Sequence, residues 1–520
     1  MKRLVRDIIN VRDLPKEYFD FVVDNSQEFY KEIRSGDDRS YKHLLEGWNV
    51  APIFTQESTR THDSFLDALL KMGARHDIGI SDPKASSLEK GESLRHTIDT
   101  YVGYGSHFLV MRDGREGAPK WARISALRSL SKRVRQFASK HHTYPTNLSL
   151  PFIFNGGDGS HNHPSQLLLD CSTMKHELGR YENLDVAIMN DLGASRVFAS
   201  QADASALLGW KLHLYALPGA EMKERERKRL EDTRTQFKMY SSFEDFSKCF
   251  PNIDALYIHR YQKNLRSKEE INEVKCHPIT LELLEKTGFN KKGIILHARP
   301  VDKDIKELGD DLNDHPYNLS DIQSDFGVPT RMAMAHYVIN NNLFSLEGII
   351  KSLDPRDFSY VREDLSRGNI KPKTGTDYTT AYIKQGYVID HIPRGCGSIM
   401  QSTINMLLPD VTMILSSNVK GNDYSSSKDV IKIHGNFDWD HRLSNLVALF
   451  TDPSAKKSCR ISRFEDGKRI DKWAFREYDS NDSCVNAKCI TSPKYNEKIK
   501  FSLSGRSDGL KECSYCDTIQ

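Results

Sequence analysis

LDVAIMNDLGASRVFASQADASALLGWKLHLYA, residues 184–216, decides the fold. Leu184–Met189 is a short apolar run of strand length, and Asp191-Leu192-Gly193-Ala194-Ser195-Arg196 is a polar turn. A helical segment then runs to Leu208, and Lys211–Ala216 is a second apolar run. The same alternation continues through Ile253–Ile258, which ends in His259-Arg260-Tyr261-Gln262, and Gly293–Leu296, which ends in His297-Ala298-Arg299-Pro300. Strands that alternate with helices form a parallel sheet with helices on both faces.

Upstream, the apolar stretch Ala51-Pro52-Ile53-Phe54 precedes Ser58-Thr59-Arg60-Thr61. Phe65, Leu66, Leu69, Leu70 and Met72 follow at helical spacing, with Gly73 as a stop. The four polar residues therefore sit at a first helical turn, where free N–H groups and the helix dipole favour an anion. Two hydroxyl residues and a guanidinium add donors suited to phosphate oxygens. Taken alone, the same residues also read as an ordinary Ser/Thr N-cap with an exposed arginine.

The strand Phe108–Met111 delivers Arg112 at its end, a ligand position in open α/β sheets or simply an exposed terminus. Pro151–Phe154 is another short strand, followed by the Gly-rich loop Asn155–Gln166. Pro164 suits the first position of a helix to about Leu178, which sets His163 and Gln166 at its mouth. Arg112, His163, Arg196, Arg260 and Gln262 all fall near strand ends or helix starts. They can converge on one edge of the sheets as a basic crevice for a phosphate and a dicarboxylate. A helix near Tyr18–Arg34 precedes all of this, and a polar loop at Ser86–Glu92 leads into a helix at Leu94–Tyr104.

The chain has 520 residues, enough for roughly three or four domains. Its 38% hydrophobic and 28% charged content describes a soluble globular protein. No apolar run reaches the roughly eighteen residues that span a bilayer, and the basic N-terminus lacks a signal's apolar core. A net charge of +3 at this length gives no sign of nucleic-acid binding. The run Lys223–Arg229 mixes both signs and reads as a solvated helix face. Nine scattered cysteines do not make a secreted disulfide scaffold, so the expected compartment is the cytoplasm.

The second half changes character. After a helical piece at Leu343–Leu353, the polar sequence to Asn369-Ile370-Lys371-Pro372-Lys373-Thr374-Gly375 reads as a linker. Strand Ala381–Ile389, helix Ser398–Leu408, strands Val411–Ser416 and Asp429–Ile433, helix Arg442–Leu449 and strand Ser458–Ser462 give the order βαββαβ, the ferredoxin-like arrangement. Near the C-terminus, Cys484-x4-Cys489 and Cys513-x2-Cys516 supply four thiolates in two close pairs. That spacing suits a closed tetrahedral Zn²⁺ site of structural type, and the all-Cys set argues against a catalytic ion.

These motifs resemble, over roughly residues 45–340, the aspartate/ornithine carbamoyltransferase family, and its aspartate branch in particular. Ser-Thr-Arg-Thr at 58–61 is similar to the family's carbamoyl phosphate signature. Lys90-Gly91-Glu92 resembles the mobile loop that reaches a neighbouring subunit's active site, with Ser86 as its serine partner. The resemblance assigns Arg112, His163 and Gln166 to carbamoyl phosphate, and Arg196, Arg260 and Gln262 to the aspartate carboxylates. It implies catalytic roles for Arg60, Thr61, Lys90, Arg112 and His163, with Ser58, Thr59 and Ser86 in substrate binding. Two departures stand out: Ser165 replaces a threonine, and the family's His-Pro-Leu-Pro-Arg loop reads His297-Ala298-Arg299-Pro300-Val301 here. Arg299 and Pro300 are kept among the substrate-binding candidates.

Residues 381–520 resemble the regulatory chain of the same enzymes, fused behind the catalytic one. This implies a CTP/ATP site at Asp390, His391, Lys432 and Lys468; without it, Asp390 and His391 read as plain strand-end residues. It also implies one structural zinc per chain on Cys484, Cys489, Cys513 and Cys516.

The expected architecture is α/β, with two doubly wound parallel-sheet domains forming a catalytic unit, then a ferredoxin-like α+β domain and a small zinc-binding β domain. The expected boundaries are 1–150 for carbamoyl phosphate, 151–340 for aspartate, 341–378 as linker, 379–470 for nucleotide and 471–520 for zinc. The implied activity is carbamoyl transfer from carbamoyl phosphate to L-aspartate in pyrimidine (UMP) biosynthesis, by a trimer-based homo-oligomer. A different amino acceptor, or a regulatory scaffold with weak activity, are the alternatives.

Overall fold

The computed structural model describes residues 4–76, 79–80, 88, 91–141, 149–263, 276–302, 305–353, 360–362, 383–420, 427–451, 458–475, 483–495, 503–505 and 511–519. Ser86 and Lys90 lie outside the described residues. Strands β1 (Asn49–Phe54), β2 (Arg75–His76), β3 (Phe108–Asp113) and β4 (Phe152–Asp158) form one sheet in the order β2-β1-β3-β4, with every pairing parallel. Alternate residues face opposite ways, as strand geometry requires. Val50, Phe108 and Val110 join the core under helices α1 (Lys16–Ser35) and α2 (Thr59–Lys71), while Ala51, Leu109 and Met111 join the core under α3 (Leu94–Tyr104) and α4 (Ala118–His141). β4 extends this sheet through Phe108↔Phe152 pairing, so the first unit continues past the boundary expected at residue 150. A strand belongs to the sheet that takes its backbone hydrogen bonds, and that overrides the break in composition.

The second sheet, in the order β7-β6-β5-β8-β9, is also wholly parallel. Its strands are β5 (Asp185–Asn190), β6 (Lys211–Ala216), β7 (Phe237–Tyr240), β8 (Ala255–Ile258) and β9 (Ile294–Leu296), with helices α5 (Pro164–Leu178) and α6 (Arg196–Leu208) at the junction with the first unit. Helix Gly327–Asn340 then returns from the second unit and packs on α1, with the Tyr18 and Tyr337 rings 4.7 Å apart. One continuous apolar core therefore runs through both units.

The third sheet is antiparallel, in the order β10-β15-β14-β11-β13-β12. Its strands are β10 (Tyr360–Arg362), β11 (Gly386–Pro393), β12 (Thr412–Lys420), β13 (Ser427–His434), β14 (Arg460–Glu465) and β15 (Lys468–Phe475). Three sequence expectations change here. β10 arises inside the stretch read as linker and pairs with β15. β15 crosses the boundary expected at residue 470. β11 starts later than Ala381 and includes Asp390 and His391, because a bulge between Ile389 and Ile392 lets the strand continue to Pro393. The final described strands, β16 (Leu503–Gly505) and β17 (Lys511–Cys513), form a small hairpin.

Candidate active site

A cleft of about 1250 Å³ opens where the carboxyl ends of both parallel sheets meet. Ser58–Thr61 line one side of it from the start of α2. The Ser58 hydroxyl makes no capping bond to that helix, so the plain N-cap reading does not account for it. Arg112, near the end of β3, donates from Nη1 to the Gly156 carbonyl at 2.9 Å. Arg196, at the start of α6, donates to Gln56 Oε1 at 2.9 Å. The two guanidiniums meet over Gly157, where a Cβ would lie 2.7 Å from Arg196 Nη1 and 2.9 Å from Arg112 Nη1. Gly157 also has φ +117°, so two independent constraints demand glycine there.

His163 is buried at the mouth of α5, where its N–H donates to Ser200 Oγ at 2.8 Å. Burial, and then the cations Arg112, Arg196 and Arg331, push its imidazole well below the usual histidine range. A neutral ring fits a polarising donor better than a proton acceptor that works by charging. Gln166 is held by Asp170, at 3.0 Å. His297, after β9, takes an N–H bond from Arg299 on Nδ1 at 2.9 Å, and burial lowers its pKa to about 4. Arg260, Gln262, Arg299 and Pro300 complete the far side. The Arg299–Pro300 peptide is cis, and the additional guanidinium of Arg299 pairs with Asp321 at 2.8 Å.

All the described residues singled out for the substrates thus line this one cleft. Sequence reasoning missed two others. Arg331, from helix Gly327–Asn340, is buried against the Phe65 ring with burial lowering its pKa to about 9. Gln323 links the His297 N–H, Asp170 and Tyr257. Both lie after the last sheet strand, in helices whose sequence carries no strand-end signal.

The cleft's electrostatics are one-sided. Burial, and then repulsion from Arg196, hold Arg112 well below the usual guanidinium range, and burial lowers Arg196 to about 10. Arg112 Nε, Arg196 Nη1, Arg260 Nε, Arg331 Nε and His297 Nε2 are buried donors without a hydrogen-bond partner. Crowded, desolvated cations with unused donors form a site shaped for anions.

In the antiparallel sheet, Asp390 pairs with His391 at 3.1 Å and with Lys428 at 2.7 Å. Lys428 belongs to the stretch flagged in the sequence but was not itself chosen. Lys432 sits opposite Val388, two residues along the strand, whereas Lys468 pairs with Glu465 beyond the Gly386 end. The structure therefore gathers Asp390, His391 and Lys428, and sets Lys468 apart from them.

Cys484, Cys489, Cys513 and Cys516 are all buried, with their sulfurs within 4.8 Å of one another. The Thr491 and Tyr515 N–H groups donate to Cys489 and Cys513 sulfurs at 3.5 Å. Four gathered thiols with N–H donors turned towards them fit a tetrahedral soft cation. This module packs on the catalytic half. Glu116 binds Arg225 at 2.6 Å and Asn486 at 2.8 Å. Asp517 sits between Arg12 and His161, and His161 also bonds Asp158. Arg225 and Glu226 are buried in this contact, which corrects the reading of 223–229 as a solvated face. One side of that helix meets the cysteine module, so its charges pair inward.

Three family models match the chain. "Aspartate/ornithine carbamoyltransferase, carbamoyl-P binding domain" covers residues 6–176, and "Aspartate/ornithine carbamoyltransferase, Asp/Orn binding domain" covers 182–338. "Aspartate carbamoyltransferase regulatory chain, allosteric domain" covers 379–474. The aspartate carbamoyltransferase catalytic subunit of Brachyspira hyodysenteriae is 32% identical over 332 residues, 64% of this chain and 82% of that one. That of Methanocaldococcus jannaschii is 30% identical over 340 residues, 65% of this chain and 99% of its own. The solved catalytic subunit from M. jannaschii superposes with a TM-score of 0.53 at 30% identity, over 66% of this chain and 100% of that one. Aspartate transcarbamoylase from Trypanosoma cruzi, solved with carbamoyl phosphate and aspartate, shares the fold at 23% identity and a TM-score of 0.51, over 64% of this chain and 95% of its own. From the helix mouth that carries Ser-Thr-Arg-Thr to the returning helix with Arg331, this chain belongs to the aspartate/ornithine carbamoyltransferase family.

Proposed function

We infer that the protein is an aspartate carbamoyltransferase with a fused regulatory region. It transfers the carbamoyl group of carbamoyl phosphate to L-aspartate and releases phosphate. The observation that carries this reading is the cluster of desolvated cations around Gly157 and His163, whose unused donors call for two anionic substrates.

In this reading Ser58–Thr61 and Arg112 hold the phosphate, while Arg196, Arg260 and Gln262 hold the two carboxylates. Placing two mutually repelling anions side by side supplies most of the rate, because their encounter becomes intramolecular. The aspartate amine attacks the carbamoyl carbon and the C–O bond to phosphate breaks. The amine proton leaves with phosphate, so no covalent enzyme intermediate forms. Arg60, Arg112 and neutral His163 stabilise charge on the carbonyl and phosphate oxygens as it builds. Ser86 and Lys90 are assigned to the same chemistry from a neighbouring subunit of a trimer. Arg299, neutralised by Asp321, leaves aspartate the favoured acceptor.

The antiparallel domain is read as ferredoxin-like, since its central strand order β14-β11-β13-β12 is that of a βαββαβ unit. Asp390, His391 and Lys432 form its candidate CTP/ATP site, with Lys468 as a more distant contact. The four cysteines hold one structural zinc per chain, which neutralises buried thiolates and ties the last hairpin down. A cytoplasmic address, the compartment that the cysteine usage favours, belongs to the same reading. No helix among the described residues is long and apolar enough to cross a membrane.

The test is carbamoyl-aspartate formation by the purified, metal-replete chain, run beside L-ornithine as acceptor. Turnover with aspartate alone supports the reading. Turnover with ornithine alone, or with neither, sinks it.

A further inference from the structure

The substrate cleft is not built from the two parallel-sheet units alone. Lys488, Lys494 and Tyr495, from the cysteine module, line its outer end beside Gly114, Gly159 and Ser160. That end adjoins the turn after β3, which carries Arg112, and the loop that leads to His163.

The module is fixed there by backbone pairing. The Glu116 N–H donates to the Lys488 carbonyl at 2.9 Å, and the Ile490 N–H donates to the Glu116 carbonyl at 2.9 Å. The Glu116 carboxylate is buried and accepts from Asn486. At Gly117, with φ +84°, a Cβ would meet the Tyr515 carbonyl at 2.7 Å, so the two segments touch without room for a side chain. The Arg115 guanidinium lies over the Tyr495 ring, 5.8 Å from its centroid, and so braces the ring at the cleft wall. Lys494 is itself exposed, with its ammonium 5.5 Å from the same ring centroid. A cation held on a fixed wall at a cleft mouth raises the local concentration of anions and lengthens their stay.

We propose that Lys494, set by Tyr495 and the cysteine module, is a positioning residue for the anionic substrates at the mouth of the cleft. The module thereby contributes directly to substrate capture, in addition to joining the regulatory and catalytic halves. This rests on the carbamoyl-transfer reading of the cleft. The reaction itself is unchanged: Lys494 touches no bond that forms or breaks, and its effect belongs in KM rather than kcat.

The experiment compares the full-length, metal-replete protein with Lys494→Gln and Lys494→Glu. Two readouts are taken: steady-state kinetics with carbamoyl phosphate and aspartate, and equilibrium binding of inorganic phosphate. Metal content and thermal unfolding of each variant are measured alongside. The expected result is a KM for carbamoyl phosphate raised about threefold in the neutral variant and about tenfold in the charge-reversed one, with kcat within about twofold and the difference shrinking at high salt. Phosphate affinity should fall in the same order. Unchanged KM and phosphate affinity in Lys494→Glu, with metal content preserved, would overturn the proposal. So would a fall in kcat at constant KM. If the unmutated protein turns nothing over, the carbamoyl-transfer reading fails by itself, and the phosphate titration still decides the part played by Lys494.

Discussion

Asp170 is a fully buried carboxyl behind the cleft, beside Gln166 and Gln323. Burial raises its pKa to about 7, although Gln323 and Gln166 donate to it and pull the other way. The folded chain therefore holds a proton that the unfolded chain, with a carboxyl near 3.8, releases. Stability from this group is complete below pH 3.8 and declines as pH rises to about 7. Asp170→Asn is expected to flatten that decline and to make the protein more stable than the parent above pH 7. Thermal unfolding of both proteins between pH 5 and pH 8 checks it, and parallel profiles would disprove it. Arg331 carries the other residue-scale prediction. Its guanidinium lines the cleft, held through Nη1 by the Gly327 carbonyl and with Nε unpartnered, so Arg331→Met should lower kcat/KM for carbamoyl phosphate on the order of a hundredfold while circular dichroism is unchanged.

At the scale of elements, the β3 and β4 carboxyl ends do most to make the site, since they bring Arg112 and the Gly-rich turn side by side. Gly157→Ala would drive a methyl group into both guanidiniums and place a side chain at φ +117°. It should cost roughly 1 kcal/mol or more in stability and raise KM for both substrates, as urea unfolding and steady-state kinetics would show. The alternating βα pattern made both parallel sheets legible from sequence, because buried parallel strands are short apolar runs and their ends must carry the polar residues. The site was legible for the same reason: Ser58, Arg112, His163 and Arg196 each follow such a run. Arg331 was not legible, since it lies mid-helix among apolar residues and reaches the cleft only because that helix folds back onto the first unit. Nor could the sequence indicate β10, a three-residue strand that exists only by pairing with the edge of β15. The burial of Arg225 was hidden too, because two of the partners that cover it, Glu116 and Cys516, are more than a hundred residues away.

For the whole molecule, the cysteine module and the catalytic half share one buried ionic network. Burial alone would lower His161 and raise Asp517. Their contact, with Asp158 and Arg12, reverses both shifts, so His161 stays charged and Asp517 ionised. Removing one partner from such a set leaves uncompensated buried charge, commonly at a cost of about 3–5 kcal/mol. Asp517→Asn should therefore lower the unfolding temperature of the catalytic half as well as the module. Chelation of the metal proposed for the four cysteines should act in the same direction, and differential scanning calorimetry would reveal it. A catalytic transition that stays in place after either change would show that the two halves are energetically separate.

Arg12 and Asp517 stand 505 residues apart in the chain, yet each neutralises the other. A ribosome exposes Arg12 and His161 long before it has made the carboxylate they need. His161 already has Asp158 at that stage, but its second ring nitrogen and the Arg12 guanidinium meet Asp517 only once the cysteine module is in place. A chain cut short before the cysteine module is therefore expected to carry a catalytic half less stable than that of the full protein, because Arg12 and His161 lose a buried counter-charge.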